Sequence, residues 1–238
     1  MTRALTDRER IELWEAGLGR RPWERSILAL SVARREPVDA LMALPIGRRD
    51  AALLDLFEWN FGVVLRGFAR CPCCGTALEF DAPTLAACRP SPSVEEAVVH
   101  TEGHVLSVRP PDTRDVSVAL DSMSAREALL RRCVTRAALG ELEVGVDALP
   151  PQALDAVEHA VEGMSPQADI TFALTCASCG HTWAAPFDVT TFLWSELGAA
   201  ARRLLDEVHT LARAYGWSEG DVLAMGPRRR AAYLERVS

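Results

Sequence analysis

Apolar residues recur at helical spacing toward both ends of the chain. The stretch TDRE at residues 6–9 has the form of a capping box, and a helix is predicted to follow over about Asp7 to Leu18. Prolines and further apolar sets predict three more helices, at residues 22–35, 38–42 and 46–62. The N-terminal 70 residues are therefore predicted to be helical.

The clearest helical pattern lies near the C-terminal end. Its apolar positions recur at spacings of four and three: Leu197, Ala201, Leu204, Val208, Leu211 and Tyr215. Such a stripe needs an apolar partner, and three heptads make a weak case for a coiled coil with a second chain. We therefore expect this helix to pack against the N-terminal helices, and two short helices to begin near Ser218 and Pro227.

The middle of the chain mixes strand-like and helical patterns. Period-two alternation predicts strands at residues 77–80, 96–100, 104–108, 170–174 and 183–187, of which the second and third should form a hairpin. The stretch RPPDTRD at residues 109–115 is predicted to be an extended loop. A capping box at Ser124 and Glu127 predicts a helix that runs to Gly140, and Pro151 opens another that ends at Gly163.

Two short cysteine motifs carry the candidate chemistry: CPCCG at residues 71–75 and CASCG at residues 176–180. Each has two cysteines three positions apart, followed by a glycine that lets the backbone fold back so that its N–H groups can face the sulfurs. Two such zinc knuckles supply the four thiolates of a tetrahedral structural site. We predict one structural Zn²⁺ bound by Cys71, Cys74, Cys176 and Cys179.

Other interpretations of these cysteines are buried free thiols, a disulfide pair or a redox CxxC motif. A redox motif would occur singly at the mouth of a βαβ unit, whereas this motif is duplicated with the same glycine, which favours a metal. The 101 residues between Cys74 and Cys176 indicate either one ribbon with a large insertion or two sites. We favour the insertion, because neither knuckle has another ligand pair nearby. The remaining candidates are Cys73 as a spectator, Cys88 and Cys133 as buried thiols, and His181 as the first substitute ligand.

These patterns predict a mainly α-helical α+β protein with helices at both ends around a zinc ribbon that carries a long insertion. The predicted regions are an N-terminal helical region (1–70), a discontinuous zinc ribbon (71–80 and 170–188), an acidic α+β insertion (81–169) and a C-terminal helical region (189–238). In the ribbon, the strand at Leu78 is expected to extend the hairpin that flanks the second knuckle, because the shared metal brings the two together.

Charge narrows the choice of partners. The net charge is −7, and residues 75–185 alone carry 7 arginines against 16 acidic residues. A negative field repels phosphate backbones, so nucleic acid is an unfavourable partner. No segment approaches the roughly 20 apolar residues of a membrane span, and the first residues lack an apolar run of signal-peptide length. These features predict a cytoplasmic protein with reduced thiols and no membrane association.

Three stretches of the chain carry a resemblance to a known family. They are CASCGHTW with the ending TTFLWSELGAAARRLLDEVHTLARAYGWSEGDVLAMGPRRRAAYLERV, LPIGRRDAALLDLFEWNFG before CPCCGTALEF, and RPPDTRDVSVAL before LLRRCV. They look like zinc-ribbon proteins encoded in gene clusters for phage-like contractile injection systems and myophage tails. They are similar in particular to the baseplate and hub assembly proteins of T-even phages. The resemblance implies a non-enzymatic chaperone or component of a baseplate, with baseplate or hub proteins as partners.

The residues themselves also argue against an enzyme. The sequence contains no GxSxG, P-loop, HExxH or dinucleotide fingerprint. A four-cysteine zinc site leaves no open coordination position for water, so the predicted metal is structural. The competing prediction is a zinc-ribbon nucleic-acid-binding or transcription-associated protein, for which the knuckle flanks offer Arg66, Arg70 and Trp183.

Aromatic residues near the C-terminal end supply the predicted contact surface. Interface hot spots are enriched in aromatic and arginine side chains, which favours Trp194, Tyr215 and Trp217, with ordinary core packing as the alternative. The N-terminal tryptophans Trp14, Trp23 and Trp59 are instead predicted to be core anchors. The arginine run at residues 228–230 is predicted to be a solvated helix face.

Overall fold

The computed structural model describes residues 2–82, 94–164, 168 and 170–237 of the 238-residue chain. Its helices are α1 (Asp7–Ala16), α2 (Pro22–Arg34), α3 (Val38–Met42), α4 (Ile46–Phe61), α5 (Thr113–Ala119), α6 (Ala125–Cys133), α7 (Pro151–Met164), α8 (Val189–Tyr215), α9 (Glu219–Leu223) and α10 (Pro227–Leu234). Its strands are β1 (Leu65–Arg70), β2 (Ala77–Ala82), β3 (Ala97–Thr101), β4 (His104–Val108), β5 (Val134–Leu139), β6 (Leu142–Glu143), β7 (Ile170–Thr175) and β8 (Thr182–Phe187). The fold is mainly α-helical α+β, as predicted. Among the helices of these ranges, none combines the length and the apolarity needed to cross a bilayer.

The helices at the two ends of the chain share one core. The predicted stripe of α8 is buried at Leu197 and Leu211, and α8 packs against α1, α2 and α4. Leu197 shares its apolar cluster with leucines of α2 and α4, including Leu30 and Leu53. Burying each such side chain contributes about 1.5–3 kcal/mol. The expectation that α8 finds its partner within the chain is confirmed.

Residues 94–164 build a second apolar core on a four-stranded antiparallel sheet of order β3-β4-β5-β6. α7 packs on β3 and β4, and its Val157 is fully buried together with Leu106 of β4. The predicted hairpin is confirmed: Thr101 pairs with His104, and Glu102 and Gly103 both have positive φ, as a two-residue hairpin turn requires.

The helix predicted from Ser124 to Gly140 is only half right. α6 ends at Cys133, and the next six residues form β5 against β4. β-branched Val134 and Thr135 favour a strand, and the sheet buries Ala137, whose position also fitted a helical stripe. Ser124 occupies the N-cap position, but its side chain makes no capping hydrogen bond.

The loop predicted at residues 109–115 ends in a helix start. Asp112 and Asp115 form a reciprocal capping box at the N-terminus of α5, with both N–H to carboxylate distances at 3.0 Å. Arg109 and Arg132 pair with the Asp115 carboxylate at 2.7 and 2.9 Å. The Asp115 side chain is only 1% exposed, so these two arginines compensate for its burial. The two prolines before Asp112 favour an extended backbone, but this extended segment ends at Asp112, which caps α5.

The ribbon consists of two separate hairpins. β1 pairs with β2 and β7 pairs with β8, and within the described ranges no ladder joins the two pairs. The expectation that the strand at Leu78 extends the β7–β8 sheet is therefore wrong. Its partner is β1, which lies in a stretch predicted to be helical. The period-two pattern of β1 was weak, because its inner positions after Leu65 are Gly67 and Ala69.

Candidate metal centre

Each cysteine motif forms the turn of one hairpin, and both turns have the same geometry. In the first, the N–H of Cys71 donates to Thr76 O and the N–H of Gly75 donates to Cys71 O, both at 2.9 Å. The second turn repeats these bonds from Cys176 and Gly180, at 2.8 and 2.9 Å. Gly75 and Gly180 have φ of 73° and 72°, a left-handed conformation that glycine adopts without steric cost. The trailing glycine of each motif therefore closes the knuckle.

The two knuckles face each other, and all four predicted ligand atoms come together. The Sγ atoms of Cys71, Cys74, Cys176 and Cys179 lie within 4.8 Å of one another. The Cys71–Cys179 and Cys74–Cys176 Sγ separations are 3.7 and 3.6 Å. A Zn–S bond of about 2.3 Å in a tetrahedron places sulfurs about 3.8 Å apart, whereas a disulfide needs about 2.05 Å. The four cysteines therefore fit a metal ion and are not paired as disulfides.

Burial differs between the members of each pair. Cys71 and Cys176 are 2% and 1% exposed, whereas Cys74 and Cys179 face solvent. The site is thus anchored on its inner side and reachable by solutes on its outer side. Neither Cys73, which is exposed, nor His181, whose ring stacks on Trp183 with centroids 6.0 Å apart, belongs to the sulfur cluster.

Of the two cysteines predicted to be buried thiols, only Cys133 lies within the described residues. Cys133 is fully buried, as predicted, and burial raises the pKa of its thiol to about 12. Cys88, also predicted to be a buried thiol, lies outside the described residues.

The two exposed thiols of the sulfur cluster, Cys74 and Cys179, have pKa values shifted in opposite directions. A hydrogen bond with the Thr76 hydroxyl, 3.2 Å from the sulfur, lowers the pKa of Cys74 to about 6. For Cys179, a hydrogen bond to the backbone at His181 lowers the pKa, but the neighbouring sulfurs, Cys74 first, raise it to about 12. Cys74 is therefore the thiol that ionises more readily, and a divalent cation bound beside Cys179 would displace its proton.

A run of aromatic contacts connects the hairpins to the helical core. The ring of Phe80 on β2 meets Phe172 on β7 at 5.8 Å, and Phe172 meets Phe187 on β8 at 5.2 Å. Phe187 meets Phe192 of α8 at 5.3 Å, and Phe192 meets Phe57 of α4 at 5.4 Å. The alternation of β7 and β8 predicted a shared face for Phe172 and Phe187. The Phe80 contact was missed, because its strand partner β1 was missed.

The predicted contact aromatics split into two groups. Trp194 is half-buried: its ring covers Gly17, and the Arg25 guanidinium lies 5.2 Å from the ring centroid, so it packs within the fold. Tyr215 and Trp217 stack with centroids 4.5 Å apart, and Tyr233 meets both rings at steep angles. Tyr215 is 38% exposed, so this cluster remains available as a surface.

The exposure of Trp59 and the burial of Arg230 contradict two further predictions. Trp59 is 62% exposed and is not a core anchor, whereas Trp14 and Trp23 are half-buried. Arg230 is buried rather than solvated. Its guanidinium pairs with Asp7 and Glu207, each at 2.7 Å. One of the three arginines at residues 228–230 therefore stabilises the fold.

A comparison with models of protein families identifies the family of this chain. The family model described as T4 bacteriophage base plate protein matches residues 28–194, well over half of the chain. The chain belongs to this family. The matched range contains both knuckles and the insertion, and membership gives the chain a structural or assembly role in a phage baseplate, in contact with other baseplate proteins. No curated protein and no solved structure matches the chain.

Proposed function

We propose that this chain is a non-enzymatic assembly protein, either chaperone or component, for the baseplate of a phage-tail-like contractile particle. The observation that carries the proposal is a family match whose range includes a ready-made four-sulfur cluster. A cluster of this kind fixes a surface in place rather than performing chemistry, which suits a protein that works through protein–protein contacts. Baseplate or hub proteins are the proposed partners, met in the reducing cytoplasm during assembly.

We further propose that Cys71, Cys74, Cys176 and Cys179 bind one structural Zn²⁺. When bound, the ion supplies a covalent-like crosslink between the two knuckles, which are far apart in sequence and share no strand pairing. Cys176→Ser should reduce the zinc content from one ion per chain to near zero, as measured by atomic emission on the purified protein. Cys73→Ser is the control, because Cys73 lies in the first knuckle between two of the proposed ligands but outside the sulfur cluster. A zinc-replete, fully folded Cys176→Ser protein would contradict the ligand assignment.

The assembly role is tested by affinity purification of the tagged protein from its native cell, followed by mass spectrometry. Half of the sample is treated with nuclease. Recovery of hub, spike or sheath-type proteins in both halves is expected. Their presence in finished particles together with this chain would identify a component, and their presence only in free complexes would identify a chaperone.

One feature of the first hairpin favours the alternative of nucleic-acid binding. Its exposed face carries Arg66, Phe68 and Arg70, with the Arg70 guanidinium 5.8 Å from the Phe68 ring centroid. The facing strand, however, places Asp81 opposite Arg66 and Glu79 opposite Phe68, which offsets the positive charge. Recovery of RNA polymerase or nucleic acid that is lost on nuclease treatment would establish this alternative instead.

A further inference from the structure

An apolar groove lies between the end of α4 and the middle of α8. It has a volume of about 480 Å³ and is walled by the rings of Phe61 and Phe192. Val63 and Val64, in the link between α4 and β1, line it and are 51% and 42% exposed. Large apolar side chains left open to water around a concavity are typical of binding surfaces.

The groove has a positive rim. Arg66 and Arg203 line it together with one carboxylate, Glu196. Across the described ranges, neither guanidinium forms an ion pair with any residue. Asp81 lies opposite Arg66 across the β1–β2 pair but forms no ion pair with it. Two guanidiniums that form no ion pair beside an apolar wall favour an occupant that brings both apolar and acidic side chains.

The far end of the inserted sheet has the opposite chemistry. Leu139 and Leu142 pair across the tight turn between β5 and β6, so their side chains lie side by side on one face. They are 45% and 73% exposed. The carboxylates of Glu102 and Glu141 flank them in adjacent turns, which the Gly140 N–H joins by donating to Gly103 O at 3.3 Å. We call residues 102–103 and 139–142 the acidic leucine tip.

We propose that the acidic leucine tip of one copy of this chain docks into the α4–α8 groove of a second copy. A convex pair of leucines flanked by two carboxylates complements a concave apolar groove flanked by two guanidiniums in both shape and charge. A single contact would cover both exposed apolar features. Neither surface uses the sulfur cluster, so the proposal stands independently of the zinc site and of the baseplate role.

Because the two surfaces differ, the contact is heterologous. Each copy has one free tip and one free groove, so repeated docking produces a ring if the rotation closes and a filament if it does not. This behaviour differs from a two-fold dimer, in which the same patch meets itself and no surface remains for a third copy. The size of the assembly therefore distinguishes a heterologous contact from a two-fold dimer.

Sedimentation velocity of the purified 238-residue chain, from about 1 to about 200 µM, should show mass rising above the 26.0 kDa monomer. Leu142→Arg in the tip and Arg203→Glu in the groove should each weaken association about tenfold or more, as for a central interface residue. The matched controls are Leu120→Arg, another exposed leucine, and Arg202→Glu, which neighbours Arg203 but does not line the groove. Both controls should associate like the wild type.

A mixture of the two variants tests whether the tip of one copy binds the groove of another. The Leu142→Arg chain retains an intact groove and the Arg203→Glu chain retains an intact tip, so an equimolar mixture should form a 1:1 dimer and nothing larger. A wild-type chain that stays at monomer mass throughout overturns the proposal, as does a mixture that remains monomeric. If the wild type is monomeric and Arg203→Glu loses a copurifying baseplate protein, the groove belongs to that protein instead.

Discussion

At the residue scale, two glycines are required because an aromatic ring occupies the space of a side chain. A Cβ on Gly17 would lie 2.0 Å from the Trp194 ring, and a Cβ on Gly67 would lie 2.3 Å from the Phe80 ring. Gly17 allows α1 and α8 to approach closely, and Gly67 lets Phe80 fold across its strand partner. Both rings face a glycine because real Cβ contacts never approach so closely.

Gly17→Ala should therefore destabilise the protein by about 1–3 kcal/mol, since Trp194 must leave its packed position. Gly17 has right-handed helical φ and ψ, so the alanine backbone itself is unstrained and the effect is steric. The measurement is urea unfolding followed by tryptophan fluorescence. Gly163→Ala in α7 is the control, because among the described residues no atom outside its own helix backbone and chain neighbours lies within 4 Å of its Cβ position. This variant should be neutral or slightly stabilising. Equal stability of Gly17→Ala and wild type would show that Trp194 does not need the glycine.

Glu9 gives the stability a defined dependence on pH. A hydrogen bond from Arg3, at 2.6 Å, is the main cause that lowers the pKa of Glu9 to about 2 from an ordinary value of 4.5. A lowered pKa contributes stability that is present above pH 4.5 and is lost as the pH falls toward 2. Both side chains are partly exposed, so the contribution is about 1 kcal/mol.

The matching variant is Glu9→Gln, which can still accept the capping hydrogen bond but has no charge for Arg3. Wild type should be more stable than Glu9→Gln by about 1 kcal/mol at pH 7, and the difference should vanish as the pH approaches 2. Urea unfolding of both proteins at matched pH values measures this difference. Any metal held by the thiols would be lost alike from both proteins as the thiols are protonated, so the comparison isolates Glu9. A difference that grows toward acid would contradict the assignment.

At the element scale, α10 is held by one buried arginine together with the ring of Tyr233, which contacts Tyr215 and Trp217. Arg230 reaches Asp7 at the start of α1 and Glu207 on α8, and donates to Met225 O at 2.8 Å. Its side chain is 4% exposed, whereas the two carboxylates keep partial contact with water. The C-terminal helix is therefore attached to both ends of the chain by charge.

Arg230→Ala should detach α10, with a loss of about 2 kcal/mol, because two carboxylates lose their shared partner. Hydrogen exchange measured by mass spectrometry should rise in residues 227–234 before it rises elsewhere. Arg228→Ala is the control, since Arg228 is exposed on the same helix. If both variants exchange like the wild type, the ion pairs do not hold the helix.

The elements also show how far a periodic pattern can be trusted. α8 followed its stripe because a long amphipathic surface has few alternative partners. The stretch after Cys133 fitted a helix by spacing, yet the neighbouring strand β4 could pair with it and bury Ala137 equally well. Backbone pairing between strands is not local, so hydrophobic spacing alone could not choose between the two.

At the scale of the whole molecule, the metal is proposed to join two hairpins that otherwise meet through ring contacts. Residues 94–164 lie between these hairpins in the sequence, and they have an apolar core of their own around Leu106, Val157 and Cys133. We propose that this core defines a unit within the predicted insertion, residues 81–169. Losing the metal should therefore disturb the two hairpins first and the inserted sheet last.

Removal of zinc with a strong chelator should lower the free energy of unfolding by about 5 kcal/mol, since metal binding and folding are coupled in such sites. Hydrogen exchange should rise in β1, β2, β7 and β8 and change least in β4 and β5. Adding zinc back should restore protection, and magnesium, which prefers oxygen ligands, is the control ion. Uniform loss of protection along the chain would argue against a separate inserted unit.

The sequence by itself determined most helices and the family, and it predicted the four cysteines whose sulfur atoms the fold brings together. Cysteine spacing, caps and apolar periodicity act over a few residues, so they survive in the sequence as readable patterns. The family resemblance combined such local patterns, and the match over residues 28–194 confirmed it.

Tertiary structure decided the contacts between distant segments: the pairing of β1 with β2, the strand β5, the burial of Arg230 and the exposure of Trp59. It also decided that the knuckles meet, with 101 residues between Cys74 and Cys176. Each of these outcomes depends on which surfaces compete for burial, and that competition involves residues far apart in the chain. Local sequence patterns therefore cannot predict the result of this competition.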